Sequence, residues 1–227
     1  MKIVEFRNKY DMVVEFQNEF KNRVQTYYQN FIKGRVRDRF TRNICGVGYV
    51  GIGEYTASNY KDSSCKNSKQ YKVWYALLER CYKEEIRSKY PAYIGCSVTE
   101  EWLNFQNFYK WWDENWYDVG EGRMHIDKDI LIKNNKIYGS EYCLFVPQRI
   151  NMIFMNKERK DDLPTGITRN TSGTYVSHYN GTRYGTYKTL DEAVSEYEKQ
   201  KRKHIKQVAD EYGDKLPIKV YNALINY

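Results

Sequence analysis

No Cys-x-x-Cys pair occurs in this chain, and its five cysteines (Cys45, Cys65, Cys81, Cys96 and Cys143) are scattered and odd in number. A zinc knuckle written as a local motif is therefore excluded. The opening "MKIVEFRNKY" lacks the apolar core of an export signal, so the thiols are expected to stay reduced in a cytoplasm. No run of about 18 apolar residues appears, and no membrane span is expected. The glycines of "CGVGYVGIGEY" do not form a G-x-G-x-x-G loop opening a helix. They read as a turn-rich link with no nucleotide-binding meaning.

What remains is basic and aromatic. The 227 residues carry a net charge of +8, and 23 of them are tyrosines. Such a length suits two or three small domains. The charge excess is too moderate for an unfolded polycation, and aromatic bulk of this size indicates a folded core. A basic surface on a folded chain favours an anionic partner, nucleic acid first.

Residues 1–55 read as short strands ("IVEFRN", "DMVVEFQN", "RVQTYYQNF") separated by polar breaks. In "FIKGRVRDRFTR", Lys33, Arg35, Arg37 and Arg39 fall on alternate positions, and Arg42 continues the bias. An extended strand would align four cations about 7 Å apart on one face, matching a phosphate backbone. The plainer alternative is an edge strand protected by basic residues. Residues 70–118 read as helical. Val73, Leu77 and Cys81 form one stripe with Trp74 and Leu78 beside it. Thr99 is the expected N-cap of the next helix. Trp102, Phe105, Phe108 and Trp112 recur at helical spacing and are read as core rather than a stacking platform. After the charged linker "NKERKDDLPTG", residues from Gly166 predict three short strands with turns at "NTSG" and "YNGT". Thr189 then caps a helix with Asp191 and Glu192 in its first turn. A helical tail with a break at Pro217 closes the chain. His204, in the basic run "KQKRKHIK", is assigned no catalytic role.

The chemistry concentrates in "MHIDKDILIKNNKIYGSEYCLFVPQRIN", residues 124–151. His125, Asp127 and Asp129 alternate, which places them on one face of an extended strand. "KNNK" predicts a turn and "KIYG" the returning strand of a hairpin. A following helix would bring Asn151 back to that hairpin. Phosphodiester hydrolysis needs a hard divalent cation and a base for water, and a carboxylate with an amide oxygen suits Mg²⁺. The alternative is a solvated strand face with a capping network.

Most of residues 1–210 resemble phage-encoded HNH-type endonucleases that carry an appended DNA-binding domain. The motifs are "IDKDIL" and "NNKIYGSEYCLFVPQRIN", with upstream support from "VWYALLERCY", "YIGCSVTEEWLNFQNF" and "GVGYVGIGEY". The resemblance implies a β-hairpin and helix clasping one Mg²⁺ or Mn²⁺, with Asp127 and Asn151 as metal ligands. The family's general-base position falls on Lys128, and its middle Asn falls near Tyr142 or Cys143. Both are departures, because a solvated lysine is protonated at neutral pH. Either His125 has taken the base role or Lys128 clamps a phosphate; His125, Lys128 and Asp129 form the candidate catalytic set. "RYGTYKTLDEAVSEY" resembles the APETALA2/ethylene-response DNA-binding domain. That likeness implies a three-stranded sheet facing DNA through Thr168, Arg169, Tyr175, Ser177, His178 and Arg183.

The expected protein is α+β. It has an N-terminal β-rich, DNA-contacting module (1–55), an HNH-like ββα-metal module with flanking helices (56–160), an APETALA2-like three-stranded sheet plus helix (161–212), and a helical tail (213–227). Its expected activity is metal-dependent cutting or nicking of double-stranded DNA, as a monomer without membrane partners, in the cytoplasm of a bacterial host. The alternatives are a catalytically silent DNA-binding protein or regulator, and a protein-binding inhibitor of a host system.

Overall fold

In chain order the strands and helices begin with β1 (Lys2–Asn8), β2 (Asp11–Glu15), β3 (Arg23–Thr26), α1 (Tyr28–Ile32), α2 (Lys69–Tyr82) and α3 (Glu84–Lys89). Next come β4 (Ser97–Val98), α4 (Glu100–Leu103), α5 (Phe105–Asn115), β5 (Met124–Asp127), β6 (Ile137–Tyr138), β7 (Leu144–Pro147) and α6 (Gln148–Phe154). The remainder is β8 (Ile167–Arg169), β9 (Tyr175–Tyr179), β10 (Thr182–Tyr187), α7 (Leu190–Tyr212) and α8 (Ile218–Ile225). This computed structural model describes residues 1–58, 67–120, 122–155 and 162–227. Cys65 and most of the charged linker after Met155 lie outside them. The architecture is α+β with several small sheets. Among the described residues, no helix is long and apolar enough to cross a membrane.

Two compact units result, and they follow packing rather than chain order. One comprises Met1–Glu114 with Lys136–Ser140, the other Asn115–Asn135 with Glu141–Tyr227. The expected segments are consecutive; the units are not.

In the first unit the aromatic stripe is core, as its spacing implies. Trp102, Phe105 and Phe108 are fully buried, and Trp112 nearly so. Trp102 and Phe105 meet Trp74, which with Leu77, Leu78 and Cys81 makes the buried face of α2, and Ser68 caps that helix by accepting from the Tyr71 amide at 3.1 Å. Trp74 Nε1 donates to the Trp102 carbonyl at 2.7 Å, so the indole is buried with its polar atom satisfied. Thr99 stands at the N-cap of α4, but its side chain makes no capping bond. The glycine-rich link packs closely. A Cβ on Gly53 would come within 2.3 Å of Gln106 Oε1, and that side chain is anchored to the backbone of Val50 and Tyr55.

β1, β2 and β3 form an antiparallel sheet, but "RVQTYYQNF" is not all strand. β3 stops at Thr26 and α1 begins at Tyr28.

The second unit is organised around α7. The sheet order is β10-β9-β8, fully antiparallel, and α7 packs on all three strands. Asn180 and Gly181, both at positive φ, make the β9–β10 turn. Thr189 and Glu192 form a reciprocal capping box. The C-terminal half of α7 and α8 belong to a different core. Ile205, Val208, Ala209, Val220 and Leu224 close around Ile130, Leu144, Val146 and Ile150. The tail therefore covers the segment that carries the central motif.

Candidate functional site

β5 does not pair with "KIYG". Its antiparallel partner is β7, "LFVP", with His125 opposite Val146 and Asp127 opposite Leu144. β6 instead runs parallel to β4 in the first unit. The expected hairpin is thus corrected: its second strand lies further along, and residues 128–143 separate the two strands. Pro147 ends β7, and α6 starts at the next residue, since proline fixes φ but donates no hydrogen bond. α6, carrying Asn151, packs against both strands.

Cross-strand partners share a face. His125 and Asp127 therefore lie on the face of Leu144 and Val146, the one lined by the core of Ile150, Ile205 and Val208. Ile126 lies on the other face with Phe145, whose ring meets Trp116.

Asp129 is not on that strand face. Asp127 Oδ1 accepts from the amides of Asp129 at 2.8 Å and Ile130 at 2.9 Å. This local turn replaces the ladder and ends β5, so the alternation stops one step short of the expectation. The Asp127 side chain is buried, and desolvation pushes its pKa above the usual carboxylate value against the two amides that lower it.

Lys128 is only 8% exposed. Its Nζ donates to the Asn135 carbonyl at 2.6 Å and to Asp129 Oδ2 at 2.8 Å. Asn135 returns a bond from Nδ2 to the Lys128 carbonyl at 2.9 Å. Asn135 escaped the sequence reading. Its signal was the doubled Asn of "KNNK": Asn134 takes positive φ in the turn, and Asn135 turns inward. Tyr142 is half-buried and Cys143 is buried just before β7.

Beside the loop, Lys201 of α7 is buried with Nζ 5.4 Å from the Phe154 ring centroid and 5.5 Å from that of Tyr227. Lys133 Nζ lies 6.0 Å from the same Tyr227 ring and 3.4 Å from Glu198. Burial, then the field of Asp129 and Asp127, raises the Tyr227 phenol. Neither Lys201 nor Tyr227 was legible as part of this neighbourhood.

The available donors are hard oxygens: the Asp127 carboxylate and the Asn151 amide, with Asp129 nearby in sequence. That set fits Mg²⁺ or Mn²⁺ better than a soft or borderline ion. Among the described residues no group of three or more His, Cys, Asp or Glu side chains converges.

On the sheet of the second unit, alternation divides the six candidate residues. Tyr179 packs on Tyr197 and His204, and its hydroxyl lies 2.8 Å from His204 Nδ1. Tyr175, Ser177 and Tyr179 share that helix-side face, and register adds Arg169, 5.6 Å from the Tyr175 ring. Arg169, Tyr175 and Ser177 thus depart from their expected outward position, and Ser177 is fully buried. The opposite face carries Thr168, His178 and Arg183. His178 Nε2 lies 3.3 Å from Thr168 Oγ1, and Arg183 is directly opposite His178.

In the first unit, Lys33, Arg35, Arg37 and Arg39 are all exposed, and Val36 and Asp38 point inward between them. The expected strand is absent. Lys33 ends α1, Gly34 takes positive φ, and 35–38 have no ladder partner. Asp38 is instead gripped by the side-chain amides of Asn18 at 2.6 Å and Asn22 at 2.8 Å. Arg42 differs from the other four. Its guanidinium serves Glu19 and Glu100 and lies over the rings of Phe20 and Tyr49.

Comparison with family models, with curated proteins and with solved structures gives no match.

Proposed function

We propose that this chain is a divalent-metal-dependent endonuclease of the HNH, or ββα-metal, type acting on double-stranded DNA. One observation carries the reading. β5, β7 and α6 form a strand–strand–helix unit in which His125 and Asp127 share the strand face lined by the core to which α6 contributes. A general base and a buried carboxylate on one face are the protein's share of a hydrolytic site.

In this reading Asp127 and Asn151 hold Mg²⁺ or Mn²⁺, which supplies charge stabilisation at the scissile phosphate. Burial makes the Asp127 carboxylate costly to ionise, and a bound cation offsets that cost. Oδ1 is already committed to two amides, so the carboxylate is held rigidly for its ligand. His125 takes the proton from the attacking water. Lys128, tied to Asn135 and Asp129, fixes the loop after the carboxylate instead of acting on water. Lys33, Arg35, Arg37 and Arg39 offer cations to phosphates, and His178 and Arg183 lead the sheet's DNA contacts. Supercoiled DNA incubated with Mg²⁺, with and without chelator, tests the reading: chelator-sensitive nicking supports it. A silent DNA-binding protein would bind the same DNA and leave it intact.

A further inference from the structure

Phe6 and Tyr10, on β1 and the turn after it, are 57% and 65% exposed, and Tyr27 and Tyr28, the N-cap and first residue of α1, are 58% and 42% exposed. Single exposed apolar residues need no explanation, but contiguous ones do. These four are contiguous. Phe6 meets Tyr28 edge to face at 6.2 Å between centroids, and Tyr10 meets Tyr27 likewise at 6.4 Å. Tyr27 and Tyr28 are chain neighbours, and the Tyr28 amide donates to the Lys9 carbonyl at 3.0 Å, which joins the pairs. One cation borders the rings, and two more follow along the chain. Lys9 Nζ stands 4.9 Å from the Tyr10 centroid, and α1 leads directly from Tyr28 into Lys33 and Arg35. The Arg35 amide is bonded to the Asn30 carbonyl at 2.8 Å, fixing where that cationic segment leaves the helix.

We infer that this end of the β1–β2–β3 sheet binds single-stranded nucleic acid, its bases stacking on Tyr10, Tyr27, Phe6 and Tyr28 and its phosphates meeting Lys9, Lys33 and Arg35. Unpaired bases offer flat π faces that a duplex hides, and stacking with adjacent cations is the physical basis of sequence-tolerant strand binding. An anionic strand also complements the local charge, which an apolar protein partner would not. This inference stands on the first unit alone and does not depend on the metal site.

The test is fluorescence anisotropy of the full chain with labelled oligothymidylate, oligouridylate and a duplex of equal length. Tyr10→Ala/Tyr27→Ala is expected to weaken both single strands by ~10-fold or more, to leave duplex affinity unchanged and to preserve the thermal midpoint. Tyr10→Phe/Tyr27→Phe should retain wild-type strand binding, because the ring faces remain. Loss for one oligonucleotide alone assigns the source as DNA or RNA. Equal loss for duplex and single strands, or no loss, overturns the inference. So does self-association that the same substitutions abolish without affecting strand binding, which would make a second copy the occupant. Chelator-sensitive nicking with unaltered strand binding would sink this inference while leaving the endonuclease reading intact.

Discussion

Lys128 and Asn135 close the same loop from both ends: the lysine ammonium reaches the Asn135 carbonyl at 2.6 Å, and the Asn135 amide reaches the Lys128 carbonyl at 2.9 Å. Both side chains are buried. Lys128 is therefore a positioning residue in this account. Lys128→Met and Asn135→Ala should each lower stability by about 1–3 kcal/mol, since each leaves a buried partner unsatisfied. A double-mutant cycle by chemical denaturation checks it: coupling near zero would mean that the clasp contributes nothing to the loop.

Asp127 should cost the metal-free fold stability at neutral pH. Burial raises its pKa, so the folded state prefers the neutral acid. That preference stabilises fully below the unfolded value of about 3.9 and is lost as pH rises through the folded pKa. Asp127→Asn keeps an oxygen for the two amides and removes the charge. Its thermal midpoint without metal should exceed wild type at pH 7, and the gap should close towards pH 4. Added Mg²⁺ should raise the wild-type midpoint and leave the variant unmoved. A variant less stable than wild type at pH 7 contradicts this.

Lys201 makes the opposite case. Burial lowers its pKa, with Lys133 adding to the effect and Glu198 opposing it. The folded state then favours the neutral amine, a preference present above the ordinary lysine value and lost as pH falls through the folded pKa. Contact with Phe154 and Tyr227 offsets part of the cost at neutral pH. Lys201→Met should match or exceed wild-type stability at pH 7, with the difference shrinking towards pH 10. Guanidinium titrations at the two pH values decide it.

Arg35, Arg37 and Arg39 should supply sequence-independent affinity. Their joint replacement by Ala should weaken all duplexes alike and flatten the salt dependence by about three phosphate contacts. Arg42→Ala is the contrasting variant. Its guanidinium already serves Glu19 and Glu100, so it should lower the thermal midpoint and leave the salt slope unchanged. An unchanged slope for the triple variant would remove that face from the DNA contact.

The elements written by local pattern were legible. The aromatic stripe of α4 and α5, the capping box at Thr189 and the Asn180–Gly181 turn each depend on neighbours within a few residues. Pairing partners were not legible. "KIYG" and "LFVP" both suit a strand beside β5, and only tertiary packing selects the second. Exposure alternates only from Arg35 to Arg39 and without the expected strand, because Asp38 is held by Asn18 and Asn22, contacts that no local spacing announces. The same limit hid Lys201, which approaches the central loop only because α7 and α8 complete the core around Ile130 and Val146.

The most direct measurement of the central claim is Mg²⁺-dependent nicking of supercoiled DNA by wild type, Asp127→Asn, His125→Ala and Lys128→Met, with the fold of each verified. Wild type should nick and stop on chelation. Asp127→Asn should be inactive while binding DNA normally, and His125→Ala should be slower by ~10²–10⁴-fold. Lys128→Met, compared at a temperature where it is fully folded, should stay within about tenfold of wild type. Wild type that never nicks, or nicking that survives the loss of His125 and fails with Lys128, would contradict the account.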